Sequence, residues 1–358
     1  MPSLNIVRDA RVLFQNKLTP AVPARWRRQF DFGAQAFSLR PFQSAGSNAR
    51  CVVANPATAS TKCDRLLGNA KLAERFGMVF DQLGLVRPRS YVNVDHSDLH
   101  GLTSLVAAVQ TRNGRAIPCM VATTYAHHIP SPGSRRDATA RTGRLRAAML
   151  AARERQSFTD HTIDALQGLR DRLGFWPRLV FDRGFGNESL VEHLSAEGAT
   201  FYIRLKAGRY VELDGYKAQI RMLQATDAVI RLYGITLRVI RSPRSRRAKE
   251  PWYILTNDMT SSRTKIVRIY YHRFEIEETF RDMKQLFESK RARFLKPASL
   301  QTVWWLVVLG IAVLYVVTRP NKRHAQQAHP KKRRSWIRTA YELLQLACGQ
   351  LIWSAQTG

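Results

Sequence analysis

Acidic residues are scarce in this chain: 27 Asp and Glu stand against 57 Lys and Arg, a formal net charge of +30 over 358 residues. Such an excess is hard to hold together without a polyanion, which makes nucleic acid the leading partner. The simpler alternative is a basic protein that merely sticks to membranes or nucleic acid; the spread of charge over most of the chain argues against one simple tail. Cysteine is scarce too. Cys51, Cys63, Cys119 and Cys348 form no C-x-x-C pair, which suggests neither a zinc site nor a disulfide framework and fits a reducing cytoplasm. No apolar run reaches the ~20 residues that cross a bilayer. The longest, Val303 to Val317, has 15 and reads as a buried central helix, so no membrane association is expected. The opening MPSLNIVRDARVLF lacks the apolar core of a signal peptide, and there are no internal repeats or low-complexity tracts.

What is present changes character along the chain. Residues 1–88 are short helical patterns separated by Pro and Gly, with one or two helices expected between Thr58 and Leu83 from the spacing of Leu66, Leu67, Ala70, Ala73, Phe76 and Phe80. Arg25-Trp26-Arg27-Arg28-Gln29-Phe30 interleaves cations with aromatics, as a phosphate-contacting surface or as the end of an amphipathic helix would. Residues 89–199 open with a three-stranded meander, Ser90 to Asp95, Leu102 to Gln110 and Ile117 to Thr124, with a turn at Asn113-Gly114. The first strand is expected to end on Asp95. A loop with Pro130, Pro132 and Gly133 follows, then helices over Ala138–Arg155 and Thr159–Leu173. A second short strand, Arg178 to Asp182, also ends on an Asp, and a helix begins at Glu188. Strands alternating with helices imply a mixed α/β sheet.

Residues 200–258 switch to period two, with strands expected at Phe201–Leu205, Ile220–Leu223, Val229–Leu232, Thr236–Ile240 and Trp252–Leu255. This reads as an all-β insertion. Helix returns over 259–318, and 319–358 form a basic linker and an amphipathic helix striped by Ile337, Tyr341, Leu344, Cys348 and Leu351. Within the returning helical part, Tyr270 to Lys284 reads YYHRFEIEETFRDMK. As one helix of about four turns, it places Tyr270, Arg273, Glu277 and Lys284 within roughly 60° of one another. Ile276, Phe280, Met283 and Phe287 form the core-facing strip beside them. On this segment alone a solvated face with an Arg273–Glu277 pair is the simpler reading.

The rest of the sequence reverses that reading. Asp95 and Asp182 at strand ends and Glu277 on the packed helix are three acids that a sheet edge can gather, where ligands of α/β folds collect. Grouped carboxylates repel unless a cation holds them. Oxygen ligands without His or Cys suit Mg²⁺ or Mn²⁺, and a pair of such ions about 4 Å apart can clamp a phosphodiester displacement. Each Asp alone reads as an ordinary turn residue. Asp98 rivals Asp95 but lies past the expected strand end, and His127-His128 matches no metal motif.

The spacing Tyr270-x2-Arg273-x3-Glu277-x6-Lys284 resembles the Y-R-E-K signature of bacterial insertion-sequence transposases of the DDE class. Asp95-His96-Ser97 resembles their first-Asp segment, and Phe181-Asp182-Arg183-Gly184-Phe185 their second. The resemblance covers about residues 88–318. It implies an RNase H-like core with a β insertion between the second Asp and the Glu. It also implies two divalent ions, Mg²⁺ or Mn²⁺, held by Asp95, Asp182 and Glu277. Arg273 and Lys284 are then phosphate contacts, and Tyr270 a phosphate or scaffold contact. Trp252 is either a stacking partner for a flipped base or a core residue of the insertion. The activity implied is cleavage of the element's own inverted-repeat ends and their transfer to target DNA, by a homodimer on double-stranded DNA at the nucleoid. The alternatives are a non-catalytic DNA-binding derivative and a structure-specific RNase H-like nuclease.

Overall fold

The computed structural model describes residues 8–10, 12–38, 45–53, 55–111, 114–126, 140–213, 215–243, 250–285, 288 and 294–318. The basic linker, the C-terminal amphipathic helix, Phe287, the His127-His128 pair and the Pro130–Gly133 loop lie outside the described residues.

After short helical turns, the described N-terminal part contains α1 (Arg27–Gly33), α2 (Ala45–Arg50), α3 (Pro56–Leu67), α4 (Ala70–Ala73) and α5 (Phe76–Asp81). The stretch expected to hold one or two helices holds three. Gly68 ends α3, and the side chains of Asn55 and Asn69 cap α3 and α4 by accepting from Thr58 and Leu72 N–H. The spacing is nevertheless used as expected at Leu66, Ala73, Phe76 and Phe80, all in the core. Phe30 is also fully buried, while Arg25 lies over the Trp26 ring at 4.3 Å, so the basic-aromatic stretch is in part a packing element.

The sheet follows from β1 (Tyr91–Leu99), β2 (Leu102–Val109), β3 (Ile117–Tyr125), then α6 (Ala140–Arg155), α7 (Phe158–Leu173), β4 (Arg178–Phe181), α8 (Glu188–Ala196) and β5 (Phe201–Leu205). β1 to β3 form an antiparallel meander, and β1, β4 and β5 run parallel. β2, LTSLVAAV, is buried at every position, as a strand covered on both faces must be. This is the RNase H-like mixed sheet the resemblance implies. The insertion supplies β6 (Tyr210–Leu213), β7 (Tyr216–Gln219), β8 (Asp227–Leu232), β9 (Ile235–Arg241) and β10 (Tyr253–Thr256). Its strands continue the same ten-stranded sheet, in the order β3-β2-β1-β4-β5-β10-β9-β8-β6-β7. Ile220–Met222 is a 3₁₀ turn, not the expected strand, and the β6–β7 hairpin was not foreseen. That hairpin is an edge with Tyr216 80 % exposed, so its sequence carries no alternating apolar signal.

α9 (Arg263–Tyr271), α10 (Phe274–Gln285) and α11 (Pro297–Thr318) complete the described fold. At 22 residues α11 is longer than its apolar run, and it is long and apolar enough to cross a membrane. Here it is a core helix: 78 % of its most apolar stretch is buried, and β3 and the N-terminal helices pack on it. Its Gln301 accepts from Thr123 N–H (2.9 Å) on the free edge of β3. Arg172 on α7 binds the N-terminal helices to the sheet. Its guanidinium donates to the Gly77 carbonyl (2.6 Å), the Asp81 carboxylate (2.5 Å) and the Cys119 carbonyl (2.6 Å).

Candidate active site

The last residues that β1 and β4 pair are Val94 and Phe181. The next residue on each strand is an aspartate, Asp95 and Asp182, so strand register alone sets the two side by side on chains roughly 4.8 Å apart. β1 does not end on Asp95, contrary to the sequence expectation. It runs on to Leu99, because β2 keeps pairing with it through a two-residue turn, His100-Gly101, with φ of 51° and 84°. What ends at Asp95 is the pairing with β4, which turns away at Asp182 into the 3₁₀ turn Arg183–Phe185. Asp98 therefore lies within β1, and it accepts a 2.5 Å hydrogen bond from Thr103. Period two points it to the face opposite Asp95.

The Tyr270–Lys284 segment is not one helix. α9 stops at Tyr271, His272 and Arg273 form a turn, and α10 starts at Phe274. Side chains of β1 and its neighbour bond the carbonyls at the break, which also accept turn N–H groups: Asn93 donates to His272 O (2.9 Å) and Gln110 to Ile269 O (3.2 Å). The His272 ring lies 2.9 Å from Glu275, whose carboxylate also accepts from Thr111 N–H (3.0 Å). Asn93, Gln110 and Glu275 escaped the sequence reading. Only Asn93 had a signal, two residues before Asp95 and hence on its face.

The break separates the signature residues. Tyr270 turns into an apolar cluster with Val180, Tyr202 and Ile254 and is fully buried. Its hydroxyl has no hydrogen-bond partner among the described residues, although Arg273 and Asp182 both bear on it, and burial pushes its pKa up. Arg273 is 3 % exposed. One Nη donates to Asp95 (3.4 Å), the other to Glu277 (2.5 Å), and Nε has no partner among the described residues. Burial alone would lower its pKa, but Tyr270, Asp182 and Glu277 raise it. Lys284 is half-buried without a hydrogen bond or ion pair among the described residues, and burial lowers its pKa against the pull of Asp98. Trp252 precedes β10 and is partly exposed. Its ring meets Tyr270 edge-on at 5.3 Å and Phe274 at 5.7 Å, and its backbone is tied to Ser242.

Burial drives the pKa of Asp95 up to about 6; the His96 N–H and Arg273 oppose this, and Asp182 and Glu277 add to it. His96, stacked on Phe185 at 4.6 Å, is pushed down to about 4 by burial. Among the described residues no three His, Cys, Asp or Glu side chains stand close enough together to hold an ion, since Arg273 lies between Asp95 and Glu277. The donor set still fits a hard divalent cation: carboxylate oxygens, one of them half-buried among acids with a single guanidinium shared between two.

Residues 139–314 match the protein-family model described as Transposase DDE domain. The match contains Asp182, Trp252, Tyr270, Arg273, Glu277 and Lys284 and starts downstream of Asp95. No curated protein matches the chain.

Proposed function

From the premise that this chain carries a DDE-class transposase domain, we propose that it cleaves the ends of its own insertion sequence and joins them to target DNA. Transposase function, DNA binding and a general use of divalent ions come with the family. The particular steps and residues are our reading. What carries it is the register that delivers Asp95 and Asp182 from the paired residues Val94 and Phe181, with Glu277 linked to Asp95 through Arg273.

In this reading Asp95, Asp182 and Glu277 hold two Mg²⁺ or Mn²⁺ ions. When bound, such a pair activates the attacking oxygen and stabilises the leaving one. The chain's own groups do the rest. Arg273 exchanges a carboxylate for a backbone phosphate, which its planar fork can grip in the same way. Lys284 supplies a second cation. Tyr270 acts as scaffold: its buried ring fixes the turn from which Arg273 projects. Trp252 offers its exposed face to an unstacked base. Residues 1–88 and 319–358 bring further cations to double-stranded inverted-repeat ends and target DNA, within a homodimer in the cytoplasm at the nucleoid.

The test is cleavage of DNA that carries the element's flanking inverted repeats, in Mg²⁺ or Mn²⁺. Nicks at the repeat ends, followed by joining to a second duplex, are the expected result. Tight end binding without cleavage in either metal supports a non-catalytic DNA-binding derivative. Cleavage of branched DNA irrespective of end sequence supports a structure-specific nuclease.

A further inference from the structure

The loop that follows Asp182 is held from outside by the β insertion. The Gly186 carbonyl accepts two hydrogen bonds, from Arg209 Nη2 (3.1 Å) and from the Tyr233 hydroxyl (3.2 Å). Arg209 leads into β6 and also lies over the Tyr233 ring at 5.9 Å. Gly186 itself sits tight on β5, where an added Cβ would meet Leu205 Cδ2 at 3.0 Å. From inside, Phe185 of the same loop stacks on His96 of β1. Phe185 and Gly186, three and four residues after Asp182, are thus held between β1 and the insertion, the latter through its backbone carbonyl.

Tyr233 stands where its backbone does not suit it. It occupies the first position of a two-residue turn between β8 and β9, with φ of 55°, followed by Gly234 at 72°. Asn or Gly are the residues that such a turn favours, and a bulky side chain there is strained. A tyrosine is useful at this place for its hydroxyl, a donor at neutral pH whose pKa burial pushes further up.

We propose that Arg209 and Tyr233 are positioning residues for Asp182, which makes the β insertion a supporting wall of the active site as well as an extension of the sheet. The proposal rests on the catalytic role assigned to Asp182 above. Outer partners that orient a ligand typically matter by 10–100-fold in affinity or activity.

The experiment compares wild type, Tyr233→Asn, Arg209→Ala, Arg209→Lys and Asp182→Asn. It measures Mn²⁺ affinity of the full chain by calorimetry, kcat for end cleavage, end-DNA Kd and Tm. Tyr233→Asn relieves the strained turn, so Tm should hold or rise while kcat falls about tenfold and Mn²⁺ binding weakens. Arg209→Ala should act alike and Arg209→Lys should recover most of the loss, with end-DNA Kd unchanged throughout. If wild type is active and the variants match it, or lose kcat only in step with a lower Tm, the positioning role is overturned alone. If wild type neither cleaves nor binds Mn²⁺, the catalytic reading falls and takes this one with it.

Discussion

Arg172 and Arg273 both carry a charge into the interior, and their surroundings differ in kind. Arg172, its side chain 13 % exposed, gives good hydrogen bonds to two carbonyls and one carboxylate and lies over Trp305 at 6.0 Å. Its partners come from three separate parts of the fold and none competes with another. Arg273, 4 % exposed at its side chain, holds one carboxylate well and a second at a stretched 3.4 Å, and it leaves Nε unbonded. Its partners are acids that repel each other. A buried cation whose hydrogen bonds go to partners that do not compete is architecture. One shared between competing acids, with a donor to spare, suits the phosphate contact proposed above.

That contrast can be broken by substitution. The largest effect belongs to the acids around Arg273: Asp182→Asn or Glu277→Gln should lower end cleavage by more than about a thousandfold, while end binding, carried by the cations, stays within a few-fold. Full cleavage by either variant in Mg²⁺ removes the catalytic assignment. Next comes Arg172→Ala. Leaving partly buried Asp81 and two carbonyls without this donor should cost about 1–3 kcal/mol of stability. Any activity lost should follow the folded fraction in denaturant titration, and a loss of kcat at unchanged stability contradicts the structural role.

A smaller effect separates the two arginines on DNA. Arg273→Ala and Lys284→Ala should each reduce the log–log salt slope of end binding by about 1, whereas Arg172→Ala should leave the slope alone. Equal slopes in all three would place Arg273 and Lys284 in structural pairs only. The finest test is Trp252→Ala. A stacked indole returns roughly 1–3 kcal/mol to an unstacked base, so first-strand nicking should persist while the second, hairpin-forming step slows. If the ring serves packing on Tyr270 and Phe274 instead, Tm falls and all steps weaken together.

The β insertion and the signature segment show how far the sequence could be read. Phe201–Leu205 stands at its expected bounds and Glu188–Ala196 starts where expected, because each pairs a clear period with a clear turn signal. The β6–β7 hairpin stayed hidden because an exposed edge needs no apolar alternation. Tyr270 and Arg273 read as neighbours on one helical strip, since periodicity assumes an unbroken helix. Asn93 and Gln110, distant in sequence, hold the break by bonding the carbonyls of His272 and Ile269, and no local pattern carries that information.

By itself the sequence determined the chemistry on offer: a polycation with three acids and a Y-R-E-K spacing, on an α/β pattern with a β insertion. Residue types, spacing and charge are local properties, so they survive without coordinates. Tertiary structure alone decided that Asp95 and Asp182 leave the same strand pair, that Tyr270 is scaffold-deep while Arg273 faces the acids, and that Arg209 and Tyr233 meet at Gly186. Those are contacts between chain segments far apart in sequence, set by sheet register and by where buried carbonyls find their donors.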